Sequence, residues 1–391
     1  MSYSPPPLSR PARAPEPAHP VWSSPVPPRP TGALLGILGV AILAVVLLVV
    51  FGYLTVFLGP GAVIIGFVAA LIPLAVVLAA VAWIDRWEPE PRLALVFAFL
   101  WGAAASVAIA LLVDLGVQIA ALLTTGQPTE AVLSATLQAP IVEEIAKGLG
   151  LVILYFAARR HFDGVVDGLV YAIVIAAGFA FTENIQYFGL ALTEGGPAEL
   201  GLTFFMRAIM SPFAHATFTV LTGIALGLAA RRHLGFGAIG YALVGLVGAI
   251  FLHALWNGAT YLVNSFESYA AYFVIVQVPI SIALITITVL VRRHEIRLTR
   301  ARLGEYAAAG WFTPAEVDML STWPGRRQAK AWARSLPGNR GQAMAVFTRD
   351  ATRLAMTRQR MITGRNELVH RTSEAELLAA VTEARRRLLA P

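Results

Sequence analysis

Residues 131–158 read AVLSATLQAPIVEEIAKGLGLVILYFAA. The run is long and apolar enough to cross a bilayer, which takes roughly 20 residues of helix. Yet Glu143, Glu144 and Lys147 sit near its middle. An isolated charge at mid-bilayer costs on the order of several kcal/mol, so such residues face a bundle interior and by default mark a pathway or a reaction site. On a helix Glu143 and Lys147 are i,i+4 neighbours and Glu144 and Lys147 are i,i+3. One lysine can neutralise one glutamate, which leaves the other with an unshared charge. The competing reading is a buried ion pair that pins helix packing. Lys147 is one of only two lysines in the chain, so composition alone does not put it inside a span.

Outward from this stretch the same kind of run recurs. Eight apolar segments are long enough to span: about 33–57, 61–83, 93–123, 131–158, 165–192, 202–230, 234–264 and 268–291. Asp114 divides the third, which reads either as one long tilted helix or as a span plus an interfacial segment. With 14% charged residues and a mean hydropathy of +0.68, the chain lies far from a soluble average of about 25% charged. The expected fold is all-α: a polytopic membrane protein with about eight transmembrane helices and a small helical tail.

Arginine placement sets the orientation. Arg10, Arg13 and Arg29 precede the first run, Arg86 and Arg92 flank the second gap, and Arg159 and Arg160 follow the fourth. Arg231 and Arg232 follow the sixth, and Arg292, Arg293 and Arg297 the eighth. The alternate loops, 58–60, 124–130, 193–201 and 265–267, contain no Lys or Arg. By the positive-inside rule both termini are cytoplasmic.

Residues 1–30 hold eleven of the 24 prolines and read as an extended, disordered cytoplasmic arm. They lack the order of a signal peptide, so the first span reads as a retained anchor. Residues 31–292 form the eight-helix transmembrane domain. Residues 293–391 carry 18 basic and 9 acidic side chains, against a net charge of +7 for the whole chain. This basic, helical cytoplasmic tail suits contact with anionic lipid head groups; no motif points to nucleic acid. Thr313-Pro314-Ala315-Glu316 is a capping box with proline at the first helical position, and helical patterns cover 293–309, 326–336, 340–362 and 373–389. The chain has no cysteine, which excludes disulfides, thiolate ligands and a cysteine nucleophile.

Three further spans carry polar residues. Glu183 and Asn184 lie on the fifth, where interhelical hydrogen bonding is the competing reading. His215 lies on the sixth, with Arg207, Ser211 and Thr219 at helical spacings around it. His253 and Asn257 are i,i+4 on the seventh. Neutral imidazole serves as a metal ligand or a proton carrier; two on adjacent spans, level with the glutamates, favour function. Pro140 and Pro212 each fall three residues before a polar site, where a helix distortion frees a carbonyl or admits water. Counting along each helix at 1.5 Å per residue puts the four sites about 13–20 Å below the outer ends. They meet near the midplane, in a cavity open to the extracytoplasmic side.

At these residues the chain resembles the PrsW family of bacterial intramembrane proteases, relatives of the CAAX prenyl endopeptidases and Abi proteins. Two glutamates with a lysine three beyond the second match Glu143, Glu144 and Lys147. Phe179, Glu183 and Asn184 match a second motif, His215 a third, and His253, Trp256 and Asn257 the closing one. The segment DRWEPEP (Asp85 to Pro91) and the run Asp167 to Tyr171 are similar to family positions, so the likeness covers about 84–262. It implies hydrolysis of a peptide bond in a membrane-anchored protein, such as an anti-sigma factor in a first, site-1 type cut, at a bacterial cell membrane. It supplies a glutamate-activated water, with histidines holding a metal or the oxyanion. A catalytic zinc or other divalent metal is expected on His215, His253 and Glu144, since two histidines and a carboxylate are an established set. Lys147 would tune the glutamate pair, Glu183 and Asn184 would complete the polar wall, and Asn257 would orient the oxyanion. The alternative class is a transporter or channel using the same charges as a pathway, against which no internal repeat is visible.

Overall fold

In the computed structural model, residues 31–390 are described, except 160, 233, 263–264 and 364–366. The proline-rich arm expected at 1–30 lies outside them. Every regular element among the described residues is helical. The chain runs through α1 (Thr31–Leu58), α2 (Pro60–Ile84), α3 (Arg92–Thr125), α4 (Ala139–Ala157), α5 (Val165–Phe204), α6 (Ala214–Arg231), α7 (Ala238–Leu262) and α8 (Glu267–Ala308). Four shorter helices follow: α9 (Pro314–Leu320), α10 (Trp323–Ser335), α11 (Gly341–Thr363) and α12 (Glu367–Leu389). Two compact units part at Thr288–Val289, inside α8.

Among the described residues six helical stretches are long and apolar enough to cross a membrane, against the eight expected. Two places account for the difference. Residues 131–157 carry three charges, Glu143, Glu144 and Lys147, more than an isolated span holds. Val165–Arg231 is one 67-residue stretch, but it doubles back. Gly196 has φ 70° and Pro197 follows; only glycine adopts that backbone freely, and proline is preset to begin a helix. Beyond the reversal Phe204 packs on Phe188 with ring centroids 5.6 Å apart, as a hairpin requires. The loop expected at 193–201 is therefore helix on both sides of one glycine. Asp114 does not split the third run, which is continuous helix with a π-helical turn at Trp101–Ser106.

α5 is the central helix, buried almost continuously from Val165 to Phe179. Small residues let its neighbours approach, as in membrane helix packing. A Cβ on Gly102 of α3 would lie 1.9 Å from the Ile175 carbonyl oxygen, and one on Gly223 of α6 would lie 2.2 Å from that of Gly168. Both proline distortions are present. A π-helical turn, Ser134–Gln138, precedes Pro140 at the start of α4. The helix arriving through a second such turn, Phe205–Met210, stops at Ser211 and restarts at Ala214. π-Bulges are rare and concentrate at functional sites.

The other unit packs α9–α12 around Leu303, Phe312, Leu320, Phe347, Leu354 and Leu388. The expected capping box forms: Thr313 Oγ1 accepts from the Glu316 amide at 3.1 Å, and the Glu316 carboxylate accepts from the Thr313 amide at 2.8 Å. Glu316 also takes a forked hydrogen bond from buried Arg385, at 2.8 and 3.0 Å, so one carboxylate caps α9 and ties α12 to it.

Candidate active site

Four helices deliver their polar side chains to one place. Lys147 is completely buried. Its ammonium donates to Glu144 Oε1 at 2.8 Å and Glu143 Oε2 at 3.2 Å, and lies 3.2 Å from His215 Nδ1. It also sits 3.9 Å above the Phe179 ring, a favourable cation–π position. Glu144 is the more enclosed carboxylate. Besides the ammonium it takes a bond from Thr219 Oγ1 at 2.8 Å and faces His253 Nδ1 at 3.0 Å. Phe218 stacks on the His253 ring at 4.7 Å between centroids, holding the imidazole in place.

The second layer fixes His215. Its Nε2 lies 2.7 Å from Glu183 Oε2, while Arg207 pairs with the same carboxylate. Arg207 Nε donates to Asn184 Oδ1 at 2.7 Å, and its guanidinium stacks over Tyr187. Asn184 thus positions Arg207 and does not reach the centre. The Asn257 amide donates to the Ala135 carbonyl at 2.9 Å, joining α7 to the π-helical turn before α4. Trp101, in the π-helical turn of α3, donates to the Ala146 carbonyl at 2.9 Å, and Gly150 leaves the room its indole needs.

Chemistry assigns the tautomers. A carboxylate only accepts, so His215 Nε2 and His253 Nδ1 carry the protons that face Glu183 and Glu144. The other nitrogens, His215 Nδ1 and His253 Nε2, then present lone pairs. The residues His215 and His253 form with Glu143 the one group of three possible metal ligands among the described residues, one ligand atom of each lying within 4.8 Å of the others. His253 Nε2 to Glu143 Oε2 is 3.8 Å. Each histidine is backed by a carboxylate, the usual support for a metal-bound imidazole. Two imidazoles and a carboxylate are a donor set that would suit zinc. The carboxylate in this group is that of Glu143; Glu144, the ligand expected from the sequence, is not in it. Glu144 already has three partners, and its neighbour projects about 100° away around the helix.

A cavity of about 230 Å3 adjoins this cluster, lined by α3, α4 and α5. Glu143 and Glu183 face it and Glu144 does not. Sequence reasoning left Thr219 and Arg207 outside the site, although both lie at helical spacing from His215. It read Asp114, at the cavity rim, only as an interruption of a span.

Residues 90–284 match the description "PrsW family intramembrane metalloprotease". Through this segment the chain belongs to the PrsW family. Three curated relatives share the name Protease PrsW. That of Clostridioides difficile (strain 630) is 32% identical over 160 residues, 40% of this chain and 63% of the relative. That of Oceanobacillus iheyensis is 30% identical over 139 residues, 35% and 57% of the two chains. That of Geobacillus kaustophilus is 29% identical over 147 residues, 37% and 58%. The chain thus spans about three-fifths of the length of these relatives. No solved structure matches.

Proposed function

We propose that this PrsW-family protein is an intramembrane endopeptidase that hydrolyses a peptide bond in a membrane-anchored protein, an anti-sigma factor being the family's example. The carrying observation is the convergence of Glu143, Lys147, His215 and His253 beside a cavity of this size. The protein sits in a bacterial cell membrane with both termini cytoplasmic, a reading supported by the arginine-free alternate loops.

Glu143 is the base. It faces the cavity, whereas Glu144 is saturated by Lys147, Thr219 and His253. Glu143 takes a proton from water as the oxygen attacks the scissile carbonyl, and returns it to the leaving nitrogen. The Lys147 ammonium, shared between Glu143 and Glu144, holds the two carboxylates in place beside the reacting centre. Glu183 and Arg207 hold His215 in one tautomer and orientation. His215 and His253 would hold a divalent metal beside Glu143, and such a metal would acidify the water and polarise the carbonyl.

The test is cleavage of single-span reporter proteins by the reconstituted full chain. Wild type is expected to cut at one position, and Glu143→Gln and His215→Ala to lose about 100-fold or more. Chelation is expected to remove activity and added zinc to restore it. Equal cutting by wild type and both variants rejects the assignment, and ion-coupled uptake without cutting supports a transporter.

A further inference from the structure

The cavity beside the cluster has an acidic residue that the chemistry above does not use. Three carboxylates line it, and two are matched by cations: Glu143 by Lys147 and Glu183 by Arg207. Asp114, exposed on α3, has no ion pair among the described residues. It accepts one hydrogen bond, from Gln138 Nε2 at 3.0 Å. Asp114 lies 11 residues before the end of α3, about 16 Å along the helix, at a depth similar to the histidines. A carboxylate at such depth with only an amide for a partner is expensive, and an approaching cation removes that expense. Gln186, also on the lining, adds amide groups of the kind that pair with an unwound backbone.

Size limits what can enter. The cavity, about 230 Å3, has room for one long lysine or arginine side chain together with water.

We infer that Asp114 is a specificity-determining residue: the cavity between α3, α4 and α5 receives a lysine or arginine side chain of the substrate near the scissile bond, whose cation pairs with Asp114. The inference rests on the protease reading for the name of its occupant, though not for the binding itself. The Asp114–Gln138 hydrogen bond bridges α3 and the start of α4 across this opening, and the incoming cation takes over the carboxylate.

The full chain, reconstituted in neutral-lipid vesicles with a photo-crosslinking residue at Leu111, tests this. The probes are three synthetic single-span peptides that differ only in a pair of Lys, Gln or Glu residues at one flank. The Lys peptide is expected to label about fivefold more than the Gln peptide, which is roughly 1 kcal/mol by the affinity relation. Asp114→Asn should erase that ratio, and Asp114→Lys should transfer the preference to the Glu peptide. Equal labelling of all three by wild type, or a preference that survives Asp114→Asn, overturns the inference. Cleavage is read in the same samples. Charge-dependent labelling without any cutting removes the protease reading alone; cutting with charge-independent labelling removes this inference alone.

Discussion

The membrane-spanning unit buries two pairs of carboxyl groups and quiets them in opposite ways. Glu143 and Glu144 share a lysine ammonium, and around them stand two histidines and a threonine hydroxyl. Glu90 and Asp167 lie within hydrogen-bonding reach of each other, and Tyr171 donates to Glu90 Oε2 at 2.6 Å. Asp167 also accepts from the amides of Asp163 and Gly164, at 2.8 and 2.7 Å, tying down the start of α5. Burial, reinforced by the Asp167 charge beside it, pushes Glu90 up to about 11. At neutral pH it is a neutral acid that donates to its neighbour. The first pair keeps charge and lone pairs for reaction. The second spends a proton on a clasp between the α2–α3 loop and α5. Burial is similar in both; the cation makes the difference.

Removing that cation gives the largest effect. Lys147→Met leaves two buried carboxylates unpaired, and breaking a buried pair in this way costs about 3–5 kcal/mol. Thermal unfolding in detergent should show a large drop in stability and the cleavage assay a loss of activity. A variant as stable as wild type would mean that the pair is satisfied some other way. Glu183→Gln comes next. It removes the carboxylate behind His215 and should lower activity about 10–100-fold, as supporting-shell changes do, with a smaller loss of stability than Lys147→Met because Arg207 keeps Asn184 and Tyr187. A normal rate would release Glu183 from its positioning role.

The smallest effect belongs to the clasp. Because the folded state holds Glu90 protonated and the unfolded chain does not, this group contributes stability below about pH 4.5, and the contribution is lost as pH rises toward 11. Glu90→Gln keeps a donor without a titrating group. Its melting temperature should match or exceed wild type at pH 8, with a shallower decline between pH 6 and 9. A steep fall in the variant would contradict a neutral Glu90.

Much of this was legible in the residues alone. Spans are visible because lipid demands long apolar runs, and Glu143, Lys147, His215 and His253 stand out because each is expensive there. Pro140 and Pro212 marked real distortions for the same local reason, a missing amide hydrogen. What escaped depends on partners distant in sequence. Whether Glu143 or Glu144 faces the cavity depends on where Thr219 and His253 arrive from other helices. Arg207 acquires a role only through the reversal at Gly196, which brings it back against Glu183. The Gly195-Gly196-Pro197 run signals a turn, yet its tightness depends on packing between the two legs. Asp114 and Gln138 are 24 residues apart, and nothing in either segment announces that they meet.

The central claim is that Glu143, and not its neighbour, is the reacting carboxylate. Single-turnover cleavage of a single-span reporter by Glu143→Gln, with its melting temperature measured on the same preparation, tests this most directly. The account predicts a rate at least about 100-fold below wild type from a protein that melts within a few degrees of it. A wild-type rate from that variant would contradict it.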